Sequence, residues 1–209
     1  MSALLLDGPE DAPATLLLAH GAGAAMDSPG MQALALAFAG AGLRVARFEF
    51  GYMSGRREGR RAAPPRAETL RGEYLAAVDA VGPVRRLVIG GKSMGGRVAS
   101  LVADELHAAG RIAGLVCLGY PFHPPGRPEQ LRTAHLAALA TPTLICQGTR
   151  DTFGTREEVA GYPLSPAIEI AWVEDGDHDL QPRRSVTGVG AAAQRQALAE
   201  RVRDWAGAL

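Results

Sequence analysis

Short, uniformly apolar runs alternate along the chain with longer stretches in which apolar residues recur every three to four positions. The short runs are rich in Leu, Val and Ile and lack polar alternation, as expected for strands buried on both faces of a parallel sheet. The longer stretches have the period of amphipathic helices that cover such a sheet. Strands are predicted at 15–19, 44–48, 86–89, 113–118, 143–147 and 168–173, with a further one at 3–6. Helices are predicted at 31–39, 67–80, 96–109, 129–137, 156–160 and 192–205; Thr155, ahead of Arg156-Glu157-Glu158, has the form of an N-cap with acidic first-turn residues. The pattern predicts an α/β fold with about six or seven mostly parallel strands and helices on both faces. Only one helix falls between the fourth and fifth main strands, so no large cap domain is expected. Residues 53–66, with five arginines and Pro64-Pro65, form the one long segment predicted to be irregular.

Neither repeats nor shifts in composition divide the 209 residues, which are expected to form one domain, 1–209. Lys and Arg together number 22 and Asp and Glu number 22, so no global field favours nucleic acid or an anionic membrane, and neither is an expected partner. No apolar run approaches the roughly 20 residues that span a bilayer. The first short apolar stretch lacks a basic region before it and is followed by Asp7, Glu10 and Asp11, unlike a signal or transit peptide. The chain is expected to be cytoplasmic. Cys117 and Cys146 both lie inside apolar runs and read as buried thiols, with no disulfide framework and no metal site.

The most informative stretch is Gly91-Lys92-Ser93-Met94-Gly95, a G-x-S-x-G that follows the run Leu87-Val88-Ile89 and precedes a helical pattern. Between a strand and a helix this spacing forms a nucleophile elbow. Its serine is held in a strained conformation above the carboxyl end of the sheet, and flanking glycines let strand and helix approach. The five residues alone arise by chance in roughly one such chain in ten. A rival reading takes Gly91-Lys92-Ser93 as the end of a phosphate-binding P-loop. That motif needs a glycine at position 86, where Arg86 stands, and residues 87–89 read as strand rather than loop.

A serine nucleophile needs a base, and the base needs an acid to fix its tautomer, in the chain order serine, acid, histidine for an elbow of this type. Asp151 follows the strand at 143–147, and His178 follows the strand at 168–173, which puts both on the same rim of a parallel sheet as Ser93. Among the other histidines, His107 and His135 fall in helical stretches at the surface, His20 in a Gly-rich turn, and His123 ahead of Asp151, which breaks the order. Asp175, Asp177 and Asp179 lie too close in sequence to His178 to reach its far ring nitrogen. Ser93, Asp151 and His178 are therefore the candidate catalytic residues. For an oxyanion the backbone amide of Met94 is one donor. The strand ending in His20-Gly21-Ala22-Gly23 offers the Ala22 amide as a second, with Gly23 as the fallback.

The segments LLLAHGAG (16–23), IGGKSMGGR (89–97), LGYPFHPPG (118–126), ICQGTRD (145–151) and GDHDL (176–180) resemble the small, capless α/β-hydrolase-fold proteins, distant relatives of dienelactone hydrolase and of testis-expressed hydrolase-like proteins. The resemblance covers nearly the whole chain. It implies an α/β-hydrolase fold with Ser93 as nucleophile, Asp151 as acid and His178 as base. Dienelactone hydrolase uses a cysteine where this chain has Ser93, so that activity does not transfer. The chain also departs from the family pattern at Gly51 and Thr152, where relatives carry proline. Some relatives act as partners in larger assemblies, so the fold by itself does not guarantee turnover.

The function expected is a serine hydrolase, a carboxylesterase-type enzyme acting on a small ester-like molecule through an acyl-enzyme on Ser93, with no cofactor. The alternatives are a non-catalytic interaction protein of the same fold and an acyltransferase using the same three residues. Phe50, Tyr52, Met53, Tyr120, Phe122 and Phe153, together with His20 and His123, cluster at the catalytic rim. They could line an apolar substrate pocket or simply close the top of the core. Arg56, Arg57, Arg60, Arg61 and Arg66 could hold an anionic substrate group or form a solvated loop. Lys92 is expected near Glu49. Oligomeric state is not legible.

Overall fold

The computed structural model describes residues 4–60 and 63–209. The chain runs β1 (Leu5–Asp7), β2 (Thr15–Ala19), α1 (Pro29–Gly40), β3 (Arg44–Phe48) and α2 (Gly51–Arg57), then through a 3₁₀ turn (Ala67–Leu70) into α3 (Arg71–Val81). Next come β4 (Leu87–Lys92), α4 (Met94–Ser100), α5 (Ala103–Ala108), β5 (Gly114–Leu118) and a second 3₁₀ turn (Ala134–Ala138). The last elements are β6 (Thr143–Gly148), α6 (Arg156–Val159), β7 (Ile168–Val173), α7 (Arg184–Thr187) and α8 (Ala191–Ala208).

The seven strands form one sheet in the order β1-β3-β2-β4-β5-β6-β7, parallel except for β1, which pairs antiparallel with β3 at the edge. Every residue of β2, β5 and β6 is buried, which explains why these strands read as unbroken apolar runs. Their side chains alternate between two cores. Leu17, Ile89, Leu115, Cys117 and Ile145 pack with α3, α4 and α5 on one face; Leu16, Leu18, Val88, Val116, Leu144 and Cys146 pack with α1 and α8 on the other. Both cysteines are free and buried, and burial pushes both thiols up from their ordinary range.

The predicted strands and the helices around residues 31–39, 67–80 and 192–205 all form; Ala3, in the predicted first strand, lies outside the described residues. Thr155 makes a full capping box: its hydroxyl accepts from the Glu158 amide at 3.3 Å and the Glu158 carboxylate accepts from the Thr155 amide at 2.8 Å. Three expectations need correction, and one element was not foreseen. The stretch 129–137 holds only the short turn Ala134–Ala138, because Leu131 stays exposed and the segment presents no stripe to bury. The stretch 96–109 divides into α4 and α5. Residues 53–57, expected to begin an irregular loop, belong instead to α2 (Gly51–Arg57). There Met53 and Gly55 face inward, and Arg56 and Arg57 sit in the last turn, where cations suit the helix dipole. Finally, a single turn at α7 has no apolar period to announce it, since none of its residues is buried.

Candidate active site

β4 delivers Ser93 to the centre of the sheet's carboxyl edge. Ser93 has φ 51° and ψ −117°, a conformation costly for any residue with a Cβ and sustained here by close packing of the turn. A Cβ added to Gly95 would lie 2.5 Å from the Ala19 carbonyl oxygen and 2.6 Å from that of His20; one added to Gly91 would lie 2.6 Å from the Gly95 carbonyl carbon. Both glycines are therefore required by backbone that has no room to retreat. Gly95→Ala is expected to destabilise the protein by about 1–3 kcal/mol or more, seen as a lower urea midpoint with an unchanged slope.

β6 carries the chain to Asp151, which is fully buried, and β7 carries it to His178. His178 Nδ1 lies 2.8 Å from Asp151 Oδ2, and His178 Nε2 lies 2.8 Å from Ser93 Oγ. An ionised carboxylate only accepts, so Nδ1 carries the ring proton and Nε2 is left to accept from the serine hydroxyl. Asp151 also accepts from Gln147 Nε2 at 2.9 Å and from the Phe153 amide at 2.9 Å. Gln147 is in turn locked between Tyr120 and Gly154, donating to the Gly154 carbonyl at 3.1 Å and accepting from the Tyr120 amide at 2.7 Å. It was not among the predicted residues. Its signal was a lone amide in an otherwise apolar strand, where a buried polar group must find partners.

The His178 side chain is 24% exposed and stacks on Phe153, ring centroids 4.1 Å apart. Lys92 holds its backbone from behind, donating to the His178 carbonyl at 2.8 Å and pairing with Asp179 at 3.2 Å. Burial pulls the Lys92 ammonium below its ordinary range, opposed by Asp179. The expected Lys92–Glu49 contact does not form, because Glu49 is engaged by Arg57 Nε at 2.7 Å and by the Met26 amide at 3.3 Å. The neighbouring aspartates are otherwise occupied. Asp175 is held by Arg183 and Arg150, and its carboxyl is pulled down to about 2, while Asp177 accepts from the Asp179 and Gln181 amides.

His20 and Tyr52 shape the loop after β2. The Phe50 amide donates to His20 Nε2 at 3.1 Å, so Nδ1–H donates to the Gly21 carbonyl at 2.7 Å, while the Tyr52 hydroxyl donates to the Ala22 carbonyl at 3.1 Å. Burial lowers the His20 pKa, keeping the ring neutral. With both carbonyls tied back, Ala22 lines a cavity together with Ser93 and Met94, and neither the Ala22 nor the Met94 amide has an acceptor among the described residues. Gly23, the alternative donor, is exposed.

Two cavities meet at Ser93, one of about 590 Å³ and one of about 480 Å³, and Ala22 and Phe153 belong to both. The other predicted pocket residues line neither. His20, Phe50, Met53, Tyr120, Phe122 and His123 are buried, and Tyr52 packs its ring against Phe50 and His20. Apolar rings at the sheet's edge bury more surface by packing on one another than by facing a cleft, so they close the top of the core. His135, expected at the surface, is half-buried with Nε2 2.8 Å from Ser100 Oγ. Of the arginines in 53–66, Arg57 joins Glu49 to Asp27, Arg60 pairs with Glu58, Arg56 stands over the Tyr52 ring, and Arg66 lines the larger cavity. Arg61 lies outside the described residues. Where relatives were expected to carry proline, the Gly51 amide donates to Glu73 Oε2 at 2.6 Å, a bond proline cannot make.

Residues 12–207 match the sequence profile of the α/β-hydrolase domain. The chain belongs to the α/β-hydrolase domain family. Solved structures with the same fold include an α/β serine hydrolase without a lid from Xanthomonas campestris, 21% identical, covering 97% of this chain and 88% of that one with a TM-score of 0.69. Dienelactone hydrolase from Anabaena variabilis is 20% identical over 97% of this chain and 89% of its own, with a TM-score of 0.70. Est1E from Butyrivibrio proteoclasticus, with ferulic acid bound, is 14% identical over 99% and 96%, with a TM-score of 0.70. In this α/β-hydrolase domain no group of three or more His, Cys, Asp or Glu side chains could hold a metal, and no helix is long and apolar enough to cross a membrane, among the described residues.

Proposed function

We propose that this α/β-hydrolase domain is a serine hydrolase that cleaves carboxylic esters of small molecules. The observation that carries this reading is the continuous chain of hydrogen bonds from Ser93 Oγ through His178 to the buried Asp151, with the Ala22 and Met94 amides left without acceptors among the described residues. Ser93 Oγ attacks the ester carbonyl carbon while His178 Nε2 takes its proton; Asp151 holds the imidazolium and its orientation. The carbonyl oxygen becomes an oxyanion that accepts from the Met94 and Ala22 amides. The tetrahedral species collapses, the bond from carbonyl carbon to alcohol oxygen breaks, and His178 returns the proton to the leaving alcohol. Water then adds to the acyl-enzyme, giving one proton to His178. The bond to Ser93 breaks, the proton returns to Oγ, and the carboxylic acid is released.

A fluorophosphonate probe tests the nucleophile directly, because only an activated serine displaces its fluoride. Covalent labelling of the wild type, abolished in Ser93→Ala, is expected. A folded wild type that stays unlabelled would overturn the proposal.

A further inference from the structure

The two cavities beside Ser93 differ in chemistry. The smaller is walled largely by Ala24, Met31, Ala33 and Leu34; His178, the paired Lys92 and Asp179, and Arg195 line it as well. The larger is edged by Arg66, Arg97 and Arg132, facing a single carboxylate, that of Glu68. Glu68 is taken by Arg97, whose Nε is nevertheless buried without a hydrogen-bond partner. The guanidiniums of Arg66 and Arg132 make no hydrogen bond or ion pair among the described residues. Burial, then repulsion from Arg97, pull the Arg132 pKa down. In a chain whose charges balance overall, a local surplus of positive charge thus stands at one wall of the site, with Arg97 and Arg132 half-buried and Arg66 exposed. Like charges in such a place repel strongly and are relieved by an anion.

The position of His178 orients the substrate. It lines the smaller cavity and not the larger. On the proposed mechanism the group that receives its proton is the departing alcohol, which would leave through the smaller, largely apolar cavity. The acyl chain would then occupy the larger cavity, which Met94 lines together with the arginines.

We propose that the arginine-edged cavity binds a terminal carboxylate on the acyl chain, so that the substrates are hemiesters of short dicarboxylic acids carrying an apolar alcohol. This inference rests on Ser93 being the nucleophile. Guanidinium forks suit a carboxylate, which two of them can hold through paired hydrogen bonds. Hydrolysis adds water across the ester bond and releases the alcohol and a dicarboxylate.

The test sets benzyl hemiesters of succinic, glutaric and adipic acid against benzyl butyrate, pentanoate and hexanoate, following benzyl alcohol by chromatography. The wild type is expected to favour at least one hemiester over its uncharged counterpart by about tenfold or more in kcat/KM, mainly through KM. Arg132→Gln is expected to erase that preference, and Arg132→Lys to restore part of it. Equal or poorer turnover of every hemiester by a wild type that the fluorophosphonate labels overturns the subsite and leaves the Ser93 reading intact. If Ser93 proves unreactive, titration of the wild type with glutarate decides the matter separately. Saturable binding weakened about tenfold in Arg132→Gln supports the subsite, and absence of binding overturns it.

Discussion

Ser93→Ala and His178→Ala are each expected to lower kcat for a small ester by about 10⁶-fold, and the double variant by little more. On the proposed mechanism the two side chains act as a unit. Without Nε2 at 2.8 Å the serine hydroxyl keeps its proton, and without the hydroxyl the imidazole has nothing to deprotonate. Effects that multiplied in the double variant would show that the two groups work independently, contrary to the relay. The folded state should survive both changes. Ser93 is only partly buried, and replacing it with alanine removes an oxygen whose one bond goes to a partly exposed ring. Steady-state kinetics with thermal melts of the same samples separates lost chemistry from lost structure.

Asp151→Asn is expected to lower kcat by about 10⁴-fold, with KM changing much less. The carboxylate accepts from three directions: His178 Nδ1, Gln147 Nε2 and the Phe153 amide. Gln147 and His178 share Oδ2 while the Phe153 amide donates to Oδ1, so an amide in its place can keep its oxygen toward Phe153 only by turning its NH₂ toward Gln147 and His178. That would force the ring proton onto Nε2, the nitrogen that must accept from Ser93. The variant should therefore fold and bind ester while holding the wrong tautomer. A smaller loss of kcat is expected in Gln147→Leu than in Asp151→Asn, because Gln147 fixes the carboxylate without touching the ring. Equal kcat in Asp151→Asn and wild type would remove Asp151 from the mechanism.

Much of this arrangement was legible in the linear pattern because it depends on local periodicities and chain order. Strands buried on both faces leave unbroken apolar runs, so β2, β5 and β6 could be placed within a few residues. The elbow's glycines are likewise local, since the same turn that strains Ser93 excludes any Cβ at Gly91 and Gly95. Loops leave weaker traces. α2 and α7 carry too little apolar period to be seen, and 129–137 carried a helical composition with no surface to bury against.

Side-chain environment was the larger gap. Phe50, Tyr120 and Phe122 stand at the right strand ends to face a cleft, yet each is buried, because a strand end fixes where a ring begins and not which way it packs. Glu49 illustrates the same limit: proximity in topology suggested Lys92, while Arg57, eight residues further along at the end of α2, reaches it first.

Sequence alone determined the α/β architecture, the strained position of Ser93 and the order in which Asp151 and His178 follow it, since each is written in spacing along one chain. Only the tertiary structure decided that Gln147 steadies Asp151, that Lys92 pins the His178 loop, and that Arg66, Arg97 and Arg132 meet at one wall beside Ser93. Those three arginines come from three separate parts of the chain. Charges so far apart in sequence become neighbours only through packing, and no periodicity records that.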